Sequence, residues 1–193
     1  MSFAPTENEI RRTTARKTEA EFFKQFAGRN FASSPERAYL DEAYKAYVGG
    51  AYGASAVYCG LALESFLYER TKSVLRANWR VEDLLDAAVS QGTLSDVSPG
   101  PNQISQREAA NYILTVRDAH AHHVAGLRAS TANRYRQVQQ DWGSSIPSWF
   151  NELEAAGGLQ PTLNSLEPYK RTMALGMMNR TVGLIQHVLH PHP

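Results

Sequence analysis

Cysteine is nearly absent: the 193 residues hold one, Cys59, within the apolar stretch 57–63. One thiol makes no internal disulfide, so the sequence does not read as a small stapled secreted fold; it points to the cytoplasm, with Cys59 as a packing residue. Long apolar runs are missing too. Gly, Ser, Glu or Arg interrupts each within a few residues, so nothing approaches the ~20 residues that span a bilayer. Residues 1–12 carry polar and acidic side chains where a signal peptide needs an apolar stretch. Charge of one sign is not in excess: 20 Lys+Arg face 19 Asp+Glu, a formal net charge of +1. That balance excludes coating nucleic acid through bulk phosphate neutralisation, but not a local phosphate site. There is no Gly-x-x-x-x-Gly-Lys-Ser/Thr loop, Cys pair for zinc, His-Glu-x-x-His pair or Gly-x-Ser-x-Gly elbow. ATP-dependent, dinucleotide and serine-hydrolase chemistry therefore have no support.

Alternation of apolar and polar residues is also lacking, and helical period dominates, so the chain reads as all-α. Apolar residues make up 42% of it, enough for one compact domain with a real core. Thr6 and Glu9 have capping-box spacing and Gly28 follows the last strong apolar position, which predicts a first helix over about 7–27. Its middle, 11–17, is almost entirely polar. Only Ile10, Phe22, Phe23 and Phe26 offer an apolar face, so residues 1–33 read as a helical arm docked at its end. A solvated helix packed by its Phe cluster, an RNA contact and a partner surface all remain readings of that arm.

Residues 34–193 read as a bundle of about four to six helices. Ser34 before Pro35 is a second start signal, followed by Tyr39, Leu40, Ala43, Tyr44 and Tyr47 on one face. Gly49, Gly50 and Gly53 interrupt that pattern, and the turn at Gly49 and Gly50 should join two antiparallel neighbours. Ala54, Val57, Tyr58, Leu61, Leu63, Phe66, Leu67 and Val74 then describe a long helix suited to the bundle centre. Leu84, Leu85, Ala88 and Val89 form a shorter helix stopped by Gly92. Ser105 and Glu108 offer a capping box for a helix running into Arg117-Asp118-Ala119-His120-Ala121-His122-His123. From 127 to 165 Gly and Pro break the pattern into a loop-rich excursion, with a short helix over 148–156. The last helix begins near Glu167-Pro168 and carries Met173, Met177, Leu184 and Val188, a methionine stripe that reads as core.

The chemistry concentrates at 117–123, where three readings compete. His120 and His123, three apart, share a helical face, but a metal site needs further ligands that the sequence does not name. Alternatively, these polar residues end a helix, where His suits the negative end of the dipole. In the third reading Arg117 holds a phosphate while His122 moves protons. Asp118 and His122 are four apart, so the carboxylate can accept from one ring nitrogen and present the other outward. Arg117 and His122, five apart, are separated by roughly 7.5 Å of rise and about 140° around the axis. They approach one phosphate only at an angle, and a second copy facing the first would complete the cradle.

Arg117-Asp118-x-x-x-His122 resembles the Arg, polar residue, then His motif of the HEPN superfamily of α-helical nucleic-acid-associated domains. Ala62-Leu63-Glu64-Ser65-Phe66-Leu67 is similar to the Ala-x-Glu-x-x-Leu-like stretch of the long helix in such domains. The resemblance covers about 35–123 and the final helix. It implies a homodimer in which two motifs meet as a metal-independent endoribonuclease site, in a toxin–antitoxin, phage-defence or RNA-processing setting, with no cofactor and with an antitoxin or other protein partner. The alternative, since other members are inactive, is a non-catalytic interaction or RNA-binding module with the same fold. Under the enzymatic form Arg117 stabilises phosphorane charge, His122 is general acid or base and Asp118 orients it. Attack by the ribose 2′-hydroxyl would leave a cyclic phosphate and spare DNA. His120 and His123 crowd the motif as accessory residues, and His123 also satisfies its spacing. Glu64, in apolar company, should be buried and paired, with Arg117 or Arg107 as partner.

Overall fold

The computed structural model describes residues 5–30, 34–100, 104–121 and 167–189; within its helices the side chains at 28–30, 119, 120, 167–170, 172 and 173 are not described. All regular structure in these residues is helical: α1 (Glu7–Glu19), α2 (Glu21–Asn30), α3 (Pro35–Gly49), α4 (Tyr52–Thr71), α5 (Val81–Ser90), α6 (Gln106–Ala121) and α7 (Glu167–Leu189). The excursion at 127–165 and its short helix lie outside the described residues.

Local signals place the helix ends. Thr6 Oγ1 accepts from the Glu9 backbone N–H at 3.3 Å while Glu9 accepts from the Thr6 N–H at 2.6 Å, closing the first box. Ser105 and Glu108 repeat it at the start of α6, at 3.1 and 2.7 Å. Pro35 occupies the first turn of α3, but the Ser34 hydroxyl makes no capping bond. Gly50, at φ 83, ends α3 in the left-handed region that a side chain would strain. Of the three glycines expected to interrupt the pattern, only Gly50 does so, since Gly49 closes α3 and Gly53 lies in the first turn of α4.

α4 is the centre, packed against α3, α5, α6 and α7. Ala56, Cys59, Ala62, Leu63, Phe66 and Leu67 are buried along it, at spacings that cover more than one face. Each Leu or Phe so buried contributes about 2 kcal/mol of apolar transfer. Cys59 is fully buried, and burial pushes its thiol well above the usual range against a smaller opposite pull from the Thr181 hydroxyl. Met177 and Met178 of α7 are also fully buried, so the methionine stripe is core there.

The arm departs from the single helix expected over 7–27. It breaks at Ala20, with φ −91 and ψ 7, although neither Gly nor Pro is present. The reason lies in what each half packs. α1 buries none of its residues, whereas Ala20, Phe23, Phe26 and Ala27 are buried against the bundle. Bending at Ala20 lets α2 turn that face inward onto α3 and α7. Ile10 and Phe22, expected on the docking face, are 52% and 61% exposed. The arm is therefore held by two of the four apolar residues expected to hold it.

At the bend, Glu19 joins three parts of the chain. Tyr47 of α3 donates to its carboxylate at 2.7 Å, and Arg171 of α7 donates its Nε at 3.0 Å and pairs through Nη2. Burial alone would raise Glu19, but the Tyr47 hydroxyl and the Arg171 guanidinium outweigh it and hold the carboxyl below its ordinary value. Tyr47 is pushed up to about 12 by burial and by its bond to Glu19.

Candidate functional site

The second half of α6 delivers the motif. Ala110, Ile113, Leu114 and Val116 are fully buried against the core and fix the helix's rotation. Arg117 follows on the same inward side and is only 8% exposed. Its stem runs over Gly60 of α4, where an added Cβ would come within 2.4 Å of the Arg117 Cβ. A glycine is required at 60 because α4 and α6 approach this closely.

Arg117 ends on two carboxylates. Its Nη1 lies 2.5 Å from Glu64 Oε2, its Nη2 lies 2.8 Å from Asp118 Oδ1, and its Nε donates to the same Asp118 oxygen at 2.9 Å. Glu64 and Asp118 keep 23% and 31% of their side-chain surface exposed, so the cluster sits at the rim of the core. Burial pulls Arg117 down, but the neighbouring Glu64 and then Asp118 carboxylates overcome it and raise the guanidinium above its ordinary value. Three of its five N–H donors are engaged, and one positive charge faces two negative ones.

Glu64 is thus paired as expected, with Arg117, but it is part-exposed rather than buried, because it stands where α4 meets the rim of the core. Arg107, the other partner considered, binds Asp86 of α5 at 2.6 Å. Asp118 was expected to orient His122; its described partner is Arg117, one residue back. His122 and His123 lie outside the described residues, and His120 lies in α6 with its side chain outside them. No cluster of three or more His, Cys, Asp or Glu able to hold a metal occurs among the described residues, and no described helix is long and apolar enough to cross a membrane.

Two features escaped the reading of the sequence. Gly60 could have been found, because a glycine inside a long apolar helix marks a close approach by another chain segment. Arg180 of α7, placed over the Tyr112 ring at 5.5 Å, left no local signal. Burial lowers the Arg180 guanidinium, while Tyr112 works in the opposite direction.

No family model matches the chain, and neither the curated proteins nor the solved structures give a match.

Proposed function

We propose that the chain is a non-catalytic, HEPN-like helical module that binds RNA, in which the Arg117 motif serves as a structural pin. The observation that carries its non-catalytic character is the pairing of Arg117 with both Glu64 and Asp118. A phosphate approaching this cluster meets two carboxylates and one guanidinium whose charge is already compensated, which opposes anion binding. The association with RNA comes from the resemblance of the motif and of the 62–67 stretch.

A second reading keeps the motif catalytic: a metal-independent endoribonuclease of a toxin or defence system, with its site formed across a homodimer. One observation favours it. Glu64 and Asp118 are part-exposed, so a second copy docking on the end of α6 has access to them and can release Arg117. Here Arg117 would stabilise the phosphorane, His122 would transfer the proton and Asp118 would turn from Arg117 to His122.

One experiment separates the two. The purified protein is incubated with a mixed-sequence RNA in EDTA, beside Arg117→Ala and His122→Ala. The pin reading expects no cleavage by any of the three and a clear loss of thermal stability in Arg117→Ala alone. Cleavage by the wild type that both substitutions abolish, with cyclic phosphate ends, overturns it in favour of the enzyme.

A further inference from the structure

Charge is balanced over the whole chain but not locally. Residues 70–80 contain Arg70, Lys72, Arg76 and Arg80 and no acidic residue. They form the last turn of α4 and the connection to α5, and Lys72, Arg76 and Arg80 are all exposed. Arg70 differs, since its guanidinium lies over the Phe66 ring at 3.6 Å. The neighbouring acids are occupied. Glu69 pairs with Lys72 at 2.6 Å, Asp86 with Arg107 at 2.6 Å, and Asp83 accepts the Arg80 backbone N–H at 2.7 Å. The Arg76 and Arg80 guanidinium groups make no ion pair among the described residues.

Aromatic surface accompanies these cations. Trp79 packs on Tyr68 with ring centroids 5.8 Å apart and planes inclined by 30°, and Tyr68 is exposed. An open groove of about 790 Å³ adjoins the turn, lined by Val74, Leu75, Arg76 and Asn78 on one side and by Asp83, Asp86 and Ala87 of α5 on the other, so the cations stand at one edge of it. Val74 is about half exposed. Cations beside an aromatic pair at the protein surface match a strand whose bases are unpaired; a duplex hides the faces that such rings would stack upon.

We propose that this turn is a binding surface for single-stranded RNA, with Lys72, Arg76 and Arg80 along the phosphates and a base against the Tyr68–Trp79 pair. The choice of RNA rests on the module reading above, but the residues are different. Thr71 lies seven positions beyond Glu64 in α4, about 10 Å along the helix, so this surface is distinct from the Arg117 cluster. The aromatic pair favours RNA over an acidic peptide, which has no use for a stacking platform.

The test is fluorescence anisotropy of a labelled 12-nucleotide oligouridylate with the full chain, in EDTA, over a series of KCl concentrations. Three phosphate contacts give a slope of log K against log salt of about −2. Arg76→Glu with Arg80→Glu should weaken binding at least tenfold and flatten the slope by more than 1 (roughly 0.7 per lost contact). Trp79→Ala should weaken binding at least fivefold and leave the slope unchanged, as loss of stacking requires. Melting curves confirm that the charge-reversed variant, altered only at exposed side chains, remains folded. The proposal is overturned if the wild type binds no RNA, if the charge-reversed variant binds equally well, or if polyglutamate displaces the RNA at equal charge concentration. Absence of RNA binding by the wild type fails the module reading together with this surface, whereas equal binding by the charge-reversed variant fails the surface alone.

Discussion

Among the described arginine–carboxylate contacts between helices, two differ sharply in how deeply the arginine lies. Arg117 meets Glu64 and Asp118 where α4 and α6 nearly touch, with 9% of its side-chain surface exposed. Arg171 meets Glu19 at the bend of the arm, with 39% and 34% of the two side chains exposed. The residue types are the same, but a buried pair is costly to break because its abandoned partner remains poorly solvated, whereas water and salt replace an exposed one cheaply. The difference teaches that the same residue types can join helices at very different depths, and that the close approach at Gly60 goes with the deeper one.

The largest expected effect is on the buried joint. Arg117→Ala strands Glu64 and Asp118 beside a core-facing void and should cost about 3 kcal/mol, read by urea denaturation. Pairing Arg117→Met with Glu64→Leu should recover most of that loss, because apolar packing removes the need for charge compensation. If the double variant is as unstable as Arg117→Ala, Arg117 does more than pin α6.

Gly60→Ala comes next. Its new Cβ collides with the Arg117 stem, so the two helices must separate, at a cost of about 2 kcal/mol by the same measurement. A neutral result would mean that the seam is looser than its geometry.

Tyr47→Phe removes one bond to the charged Glu19 and should cost about 1.5 kcal/mol near neutral pH. Its pH dependence has a definite sign. The folded value of Tyr47 is raised from 10.0 to about 12, so its contribution is complete below 10.0 and is lost as pH rises toward 12. Glu19 is lowered in the folded state, so its contribution holds above its ordinary value of 4.5 and fades as pH falls through the lowered one. Melting temperatures across pH should show an alkaline step in the wild type that Tyr47→Phe lacks.

The smallest effect belongs to Arg171→Ala. After screening, its pair with Glu19 is worth about 0.5–1 kcal/mol, and 1 M NaCl should erase most of the difference from wild type. A larger, salt-insensitive loss would place this contact with the buried class and dissolve the comparison.

What was legible in the sequence follows the range over which each interaction acts. Capping boxes at Thr6 and Ser105, the proline start at Pro35 and the stop at Gly50 are set by residues within four positions, and the helix ends they predict are present. The Glu64–Arg117 pair was also within reach, because a carboxylate in apolar company needs a cation and few were suitable. The bend at Ala20 was not. Nothing in its neighbours breaks a helix; the break comes from the different faces that α1 and α2 offer a bundle built far along the chain. For the same reason Phe22 and Phe23, adjacent and alike, have opposite fates, one 61% exposed and the other 1%.

The clasp at Glu19 reaches across 152 positions of sequence to Arg171. During synthesis the first of these residues has left the ribosome long before the second is made. The carboxylate and Tyr47 can meet early, but the third member arrives only with α7. Closing so wide a loop is also slow for an unfolded chain, because the entropy of bringing its ends together must be overcome before the contact returns anything. This clasp should therefore be among the last contacts to form, fastening a body whose helices have already found one another.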